Sequence, residues 1–242
     1  MKLRPQVPMI NASSELDFLY RGLRALIGFR ARATIAWIRH GHLVRAKAIR
    51  TYLHTHPEAK LQLGGSYPIN GFLNSQILGS IPIDITCRLP IPNNSFSLIY
   101  SSHLVEHIHR TQFISFLTES LRILKPDGIH IIATPSIKKI SETLYGLESK
   151  EKYLLMEAGA RFYPESFHTE SQQINLTMRA FGHRFLYDLP FMRAVAIEVG
   201  YKSVDVVDNL NLPDQALTAY VTQKKPPRWN AETETFVLRK DA

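Results

Sequence analysis

Histidines and carboxylates gather at one place in this 242-residue chain, the run Ser101-Ser102-His103-Leu104-Val105-Glu106-His107, with His109 just beyond. It directly follows an apolar stretch, Phe96–Ser102, that reads as a buried strand. Imidazole titrates near neutrality, so a histidine at a strand end can take a proton from a ligand hydroxyl. His103 lies nearest the strand end and is the first candidate base. Glu106 and His107 are expected to open the following helix or turn, as further catalytic candidates or as packing groups. Farther upstream, the strand-like Lys60–Leu63 runs straight into Gly64-Gly65-Ser66. A turn without Cβ atoms lets the backbone approach a ligand closely. In open parallel sheets, ligands sit at the carboxyl ends of the strands. Asp84 closes another expected strand, where a carboxylate or the neighbouring amide can reach an adenine amino group. His183 and Asp188 form a second pair that either reaches a ligand pocket or ties residues 136–186 to the core.

The spacing His103-x-x-Glu106-His107 is also formally that of inverted zinc peptidases, in which two histidines bind zinc and a glutamate activates water. That chemistry places the motif in mid-helix and needs a third ligand. Here the motif follows a strand and is flanked by turns at 90–95 and 125–128, so the reading assigns no metal. The single cysteine, Cys87, excludes a multi-cysteine zinc site and any intrachain disulfide.

These residues need a sheet to position them. Short apolar runs at Lys60–Leu63, 71–77, 82–86, Phe96–Ser102 and 129–133 alternate with turns and helices. Ser203–Val207 and 235–238 can close the sheet. Helices are expected at 110–124, with Phe113, Phe116, Leu117, Leu121 and Leu124 on one face, and at Leu189–Val199, ended by Gly200. Residues 136–186 read as mostly helical, with loops around Gly159 and Pro164. Strands alternating with helices predict an α/β fold with a mostly parallel sheet. Gly71 follows Gly64 too closely for a helix between the first two strands.

In this order the motifs resemble the class I S-adenosylmethionine-dependent methyltransferases, specifically the type 11-like group of predicted methyltransferases. The resemblance rests on Leu61-Gln62-Leu63-Gly64-Gly65-Ser66, Gly71-Phe72-Leu73-Asn74, the run from Leu89 to Phe96, His103 to His107, and Lys125-Pro126-Asp127-Gly128. Later, Gly182-His183-Arg184-Phe185-Leu186-Tyr187-Asp188 and the segment 232–240 are similar to blocks of one bacterial subgroup. Residues 61–240 carry the likeness. It implies a Rossmann-like sheet with helices on both faces and S-adenosylmethionine as cofactor. The implied cofactor residues are Leu63, Gly64, Gly65, Ser66, Asn74, Gln76, Asp84, Ile85, Ser101 and Ser102; the implied catalytic residues are His103, Glu106 and His107. Two positions depart from the pattern. Ser66 stands where the turn has its last glycine, and Gln76 stands where an acid accepts both ribose hydroxyls. An amide lacks the charge, at a cost of about 1–2 kcal/mol, near tenfold in affinity.

The resemblance implies methyl transfer to a small-molecule acceptor, such as a glycan or natural-product hydroxyl. The insertion at 136–186, with Tyr145, Tyr153, Phe162, Tyr163 and Phe167, is expected to build the acceptor pocket. The alternative, motivated by Ser66 and Gln76, is a degenerate methyltransferase fold acting as a binding or assembly module.

The net charge of +8 divides unevenly. Residues 1–60 hold 11 Lys and Arg against 3 acids, whereas residues 61–242 hold 18 of each. The reading is therefore a basic helical extension over 1–60, with an apolar stripe at Leu16, Leu19, Leu23 and Leu26 and a second helix over 34–54, followed by a neutral domain over 61–242. The eight bases from Arg21 to Arg50 are either solvated or face an acidic surface or partner. A nucleic-acid role is disfavoured, because Ser101-Ser102-His103-Leu104 stands where nucleic-acid methyltransferases carry an Asn-Pro-Pro-aromatic run. A homo-oligomer stays open. One cysteine and no apolar leader fit a cytoplasmic setting.

Overall fold

The computed structural model describes residues 42–65, 67–76, 81–162, 168–226 and 228–242. The stripe at Leu16 to Leu26, most of the basic run, Ser66, Tyr163 and Phe167 lie outside the described residues. Six strands form one sheet in the order β2-β1-β3-β4-β6-β5. These are β1 (Lys60–Leu63), β2 (Phe72–Ser75), β3 (Phe96–Ser102), β4 (Leu124–Pro135), β5 (Ser203–Val207) and β6 (Thr233–Arg239). The pairs β1–β2, β1–β3 and β3–β4 are parallel; β6 runs antiparallel between β4 and β5. Eight helices complete the described part: α1 (His42–Thr55), α2 (Arg110–Ile123), α3 (Ile137–Tyr145), α4 (Lys150–Ala160), α5 (Glu170–Arg179), α6 (Leu189–Val199), α7 (Gln215–Lys224) and α8 (Trp229–Glu232). Among the described residues, no helix is long and apolar enough to cross a membrane.

Strand side chains alternate between two apolar layers, as the period of two requires. Leu61, Leu63, Ile99, Ile132 and Phe236 pack with Phe113, Phe116 and Leu117 of α2 and Met192 and Ala196 of α6. Leu98, Tyr100, Ile131 and Val237 pack on the other face with Leu217, Tyr220 and Val221 of α7 and Trp229 of α8. The insertion helices build a third cluster from Ile140, Leu144 and Leu155, packed with Ala231 of α8. α1 belongs to the first layer through buried Ile49. Its Tyr52 hydroxyl donates to the carbonyls of Lys60 and Gly71 at 3.0 and 2.8 Å. Arg45, one of the eight bases, is buried and donates to the Pro82 carbonyl at 3.1 Å, while Lys47 and Arg50 are exposed.

The expected strand at 82–86 is corrected to a turn. Pro82 has no N–H to give a ladder. The Asp84 carboxylate accepts from both the backbone N–H and the hydroxyl of Thr86, at 2.9 and 2.7 Å, which curls the chain. Ile83 and Ile85 still fill the core. The turn at 125–128 survives inside β4: the register jumps from Phe96↔Leu124 to Leu98↔Ile129, so Lys125 to Gly128 loop out of the ladder. Gly159, expected in a loop, lies inside α4.

The link from β1 to β2 takes eight residues and holds no helix. Parallel neighbours ordinarily need a crossover of a dozen or more residues that covers one face. Here α7, from between β5 and β6, covers that face instead.

Candidate functional site

The register aligns Leu63 with both Ser75 and Ser101. One step on, Gly64, Gln76 and Ser102 therefore share the carboxyl edge of the sheet. Gly64 sits at φ +71°, and its N–H donates to Ser75 O at 2.9 Å. A side chain there would be strained and would also meet Leu104, whose Cδ1 would lie 2.9 Å from an added Cβ. The Gln62 carboxamide lies over Gly65 so closely that it would have to move to admit a Cβ there. Gln76 donates its amide to the Gly65 carbonyl.

The other expected ligand residues divide. Asn74 is spent on its own loop: its carbonyl accepts from Ile69 N at 2.8 Å, and its amide donates to Ile69 O and Phe72 O. Asp84 holds the Thr86 turn, with Ile85 buried beside it. Leu63 and Ser101 are buried in the sheet, and Ser102 accepts from Lys225 Nζ at 2.9 Å. Ser66 lies outside the described residues.

The chain leaves β3 through His103, a non-glycine residue at φ +49°. Its N–H donates to Ala133 O at 2.8 Å, which keeps the strained turn tied to β4. The next residues form a 3-10 turn, Val105–His107, in place of a helix start. This turn drops Glu106 inward until it is fully buried. Glu106 Oε2 accepts from Thr134 Oγ1 at 3.1 Å; Oε1 makes no hydrogen bond, and His103 Nδ1 and His107 Nε2 stand 3.4 and 3.9 Å from it. His103 Nε2 meets Thr233 Oγ1 at 2.9 Å. Burial pushes the Glu106 carboxyl up to about 8. Burial, helped by the cations Lys225 and Arg228 and by His183 and His107, holds His103 down at about 3. Both therefore sit in the fold as neutral groups at pH 7, with the proton of the pair on Glu106.

The segment after α5 is bolted to this turn. Arg184 and Phe185 donate their N–H groups to Glu106 O, and Tyr187 Oη donates to Val105 O at 3.3 Å. His183 is thereby brought against His107, ring centroids 4.9 Å apart. Asp188, its sequence partner, instead caps α6 by accepting from Phe191 N. His103, His107 and His183 line a pocket of about 240 Å³ together with Phe162, Phe181 and Gln173 from the insertion and Arg228 and Glu232 from α8 and the turn before it. Residues 136–186 thus do line a pocket beside the strand-end histidines.

Several partners at the site carry no signal of their own in the sequence. Thr134 and Thr233 are ordinary strand threonines that become neighbours only because β6 inserts beside β4. Lys225 arrives from the last quarter of the chain and sits over the Trp229 and Tyr220 rings at 5.6 and 5.7 Å. Its burial lowers its proton affinity.

Comparison with known proteins adds the following. The family model described as "Methyltransferase domain" matches residues 73–132. No curated protein matches the sequence. Among solved structures, phosphoethanolamine N-methyltransferase 2 of Haemonchus contortus is similar at 13% identity and TM-score 0.40, over 81% of this chain and 53% of that one. A SAM-dependent methyltransferase from Archaeoglobus fulgidus is similar at 11% identity and TM-score 0.43, over 84% and 96%. The chain thus spans about half the length of the Haemonchus protein. At these scores neither likeness bears on the chemistry here.

Proposed function

We propose that this chain, a methyltransferase-domain protein by its residues 73–132, transfers a methyl group from S-adenosylmethionine to a small-molecule acceptor. One observation carries the reading: the carboxyl edge at Gly64, Gln76 and Ser102 leads straight into His103, which lines a pocket together with His107 and His183. The residues on that edge fit the cofactor in kind. The backbone of Gly64 and Gly65, Gln76 toward a ribose hydroxyl, and the Asp84–Ile85 turn toward the base would hold it. When bound, it supplies an electrophilic methyl group with a neutral leaving sulfur.

The protein's share is then to hold the acceptor in line and to take its proton. His103 is the candidate base, fixed by Thr233. His107 and His183 reach the same cavity and serve as acceptor-binding groups. A glycan or natural-product hydroxyl is the substrate class we favour.

A second reading, a binding or assembly module, is favoured by Leu104 packed on Gly64 and by Gln76 held on the Gly65 carbonyl. Both side chains must turn aside for a ligand to use that edge. Calorimetric titration of the purified full chain with S-adenosylhomocysteine separates the two. Saturable binding supports the enzyme; no heat at millimolar ligand overturns it and leaves the module.

A further inference from the structure

A buried carboxylate oxygen without a hydrogen bond needs a reason, because desolvating it is costly. Glu106 is fully buried, and only its Oε2 is hydrogen-bonded. His107 and His183 bring ring nitrogens to the same place: one ligand atom from each of Glu106, His107 and His183 lies within 4.8 Å of the other two. The histidines are also oriented as ligands are. His183 Nδ1 donates to Thr177 O at 2.5 Å, which leaves the Nε2 lone pair free. The Nδ1 edge of His107 faces the backbone at Gly182, while its Nε2 points toward Glu106. A second hydrogen bond of this kind fixes the tautomer and aim of metal-bound imidazoles.

We propose that Glu106, His107 and His183 bind one divalent first-row transition ion, with an open coordination position toward the cavity. Two imidazoles and one carboxylate, Glu106 releasing its proton to solvent as the ion binds, suit zinc or iron(II), and three protein ligands with an open place is the pattern of a reactive site. The third ligand comes from a segment 76 positions beyond His107 in the chain, and Arg184 to Tyr187 pin it there. The His107–Glu106 separation of 3.9 Å must close by about 0.5–1 Å to match ordinary bond lengths, a side-chain rotation. Arg228, which also lines the cavity, is offset by Glu232 at 3.4 Å. The open position would take an oxygen of whatever occupies the cavity. Displacing a methyl from a sulfonium needs no metal, so the ion's role is to hold and polarise that oxygen.

The test uses the full chain, stripped with a chelator and then titrated with cobalt(II) or zinc(II). The expected result is one equivalent bound, with the visible absorption of cobalt in a low-symmetry nitrogen and oxygen environment. Affinity should fall tenfold or more in His107→Ala and in His183→Ala, and stay unchanged in His56→Ala, an exposed residue just after α1. Glu106→Gln should do the same if it folds; the two histidine variants decide the matter if it does not. No binding, or binding that neither histidine variant weakens, overturns the proposal. Because the cofactor titration is run separately with chelator present, its outcome and this one stand apart.

Discussion

Acid should loosen this protein from the middle of its sheet. His130, on β4, pairs with Ile99 and Leu238, is fully buried, and makes an edge contact with Phe116 at 5.4 Å. Neither ring nitrogen has a hydrogen-bond partner. Burial holds its proton affinity down to about 3, against about 6.5 for a free histidine. The folded state therefore binds fewer protons than the unfolded chain. The stability that depends on a neutral ring is complete above pH 6.5 and is lost as the pH falls toward 3. At pH 5 the unfolded chain has gained about 1.5 units of protonation advantage, about 2 kcal/mol, and at pH 7.5 almost none. The pH 5 value barely changes whether the folded group titrates at 3 or at 4. Other groups contribute slopes of their own: His103 in the same direction, Glu106 in the opposite one. A comparison with His130→Leu cancels them. Urea melts of both proteins at pH 7.5 and 5.0, with matched m-values, should show the variant gaining about 2 kcal/mol on the wild type between the two conditions. A gap that stays constant within about 0.5 kcal/mol would refute the reasoning, since it would mean the ring is either protonated or solvated in the fold.

Two further changes probe the cofactor edge and the loop that leads into β3. In Gln76→Glu the side chain can no longer donate to the Gly65 carbonyl and gains a charge for ribose hydroxyls. S-adenosylhomocysteine should bind about tenfold tighter by calorimetry, and unchanged or weaker binding would count against Gln76 as a ribose ligand. Arg122 donates to the Leu89 and Ile91 carbonyls and to Asn93 Oδ1 while paired with Glu119 at 2.7 Å, and Glu119 in turn accepts from Leu89 N. Arg122→Ala should cost about 2–3 kcal/mol in chemical denaturation, and a loss below about 0.5 would show that the loop holds without it.

Much of the site could be read before any coordinates. The turn at Gly64, the strand Phe96–Ser102 and the histidines after it carried strong local signals, and each stands where the pattern placed it. The methyltransferase resemblance is supported over residues 73–132. What local pattern could not reveal is depth. Glu106 looks like a charged turn residue until the 3-10 turn and Thr134 draw it inside. The 82–86 error has a local cause: Ile83 and Ile85 alternate as in a strand, but Pro82 and Asp84 both favour a turn, and side-chain capture won. The α7 helix was not assigned from the sequence; Asp214 caps it, and Leu217, Tyr220 and Val221 are buried along it. Its place could not be inferred, because it covers strands more than a hundred residues earlier.

That placement sets an order of events. With no helix between β1 and β2, one face of the parallel strands stays bare until residues 215–224 are made. The same late arrival brings Asp214 to Lys60 at 2.5 Å, across 154 positions of chain. Closing so large a loop is slow, and an uncovered apolar face invites association meanwhile. A nascent or truncated chain ending before 215 would own nearly every residue of the edge and of the three-histidine cavity, yet it would be the form most in need of a chaperone.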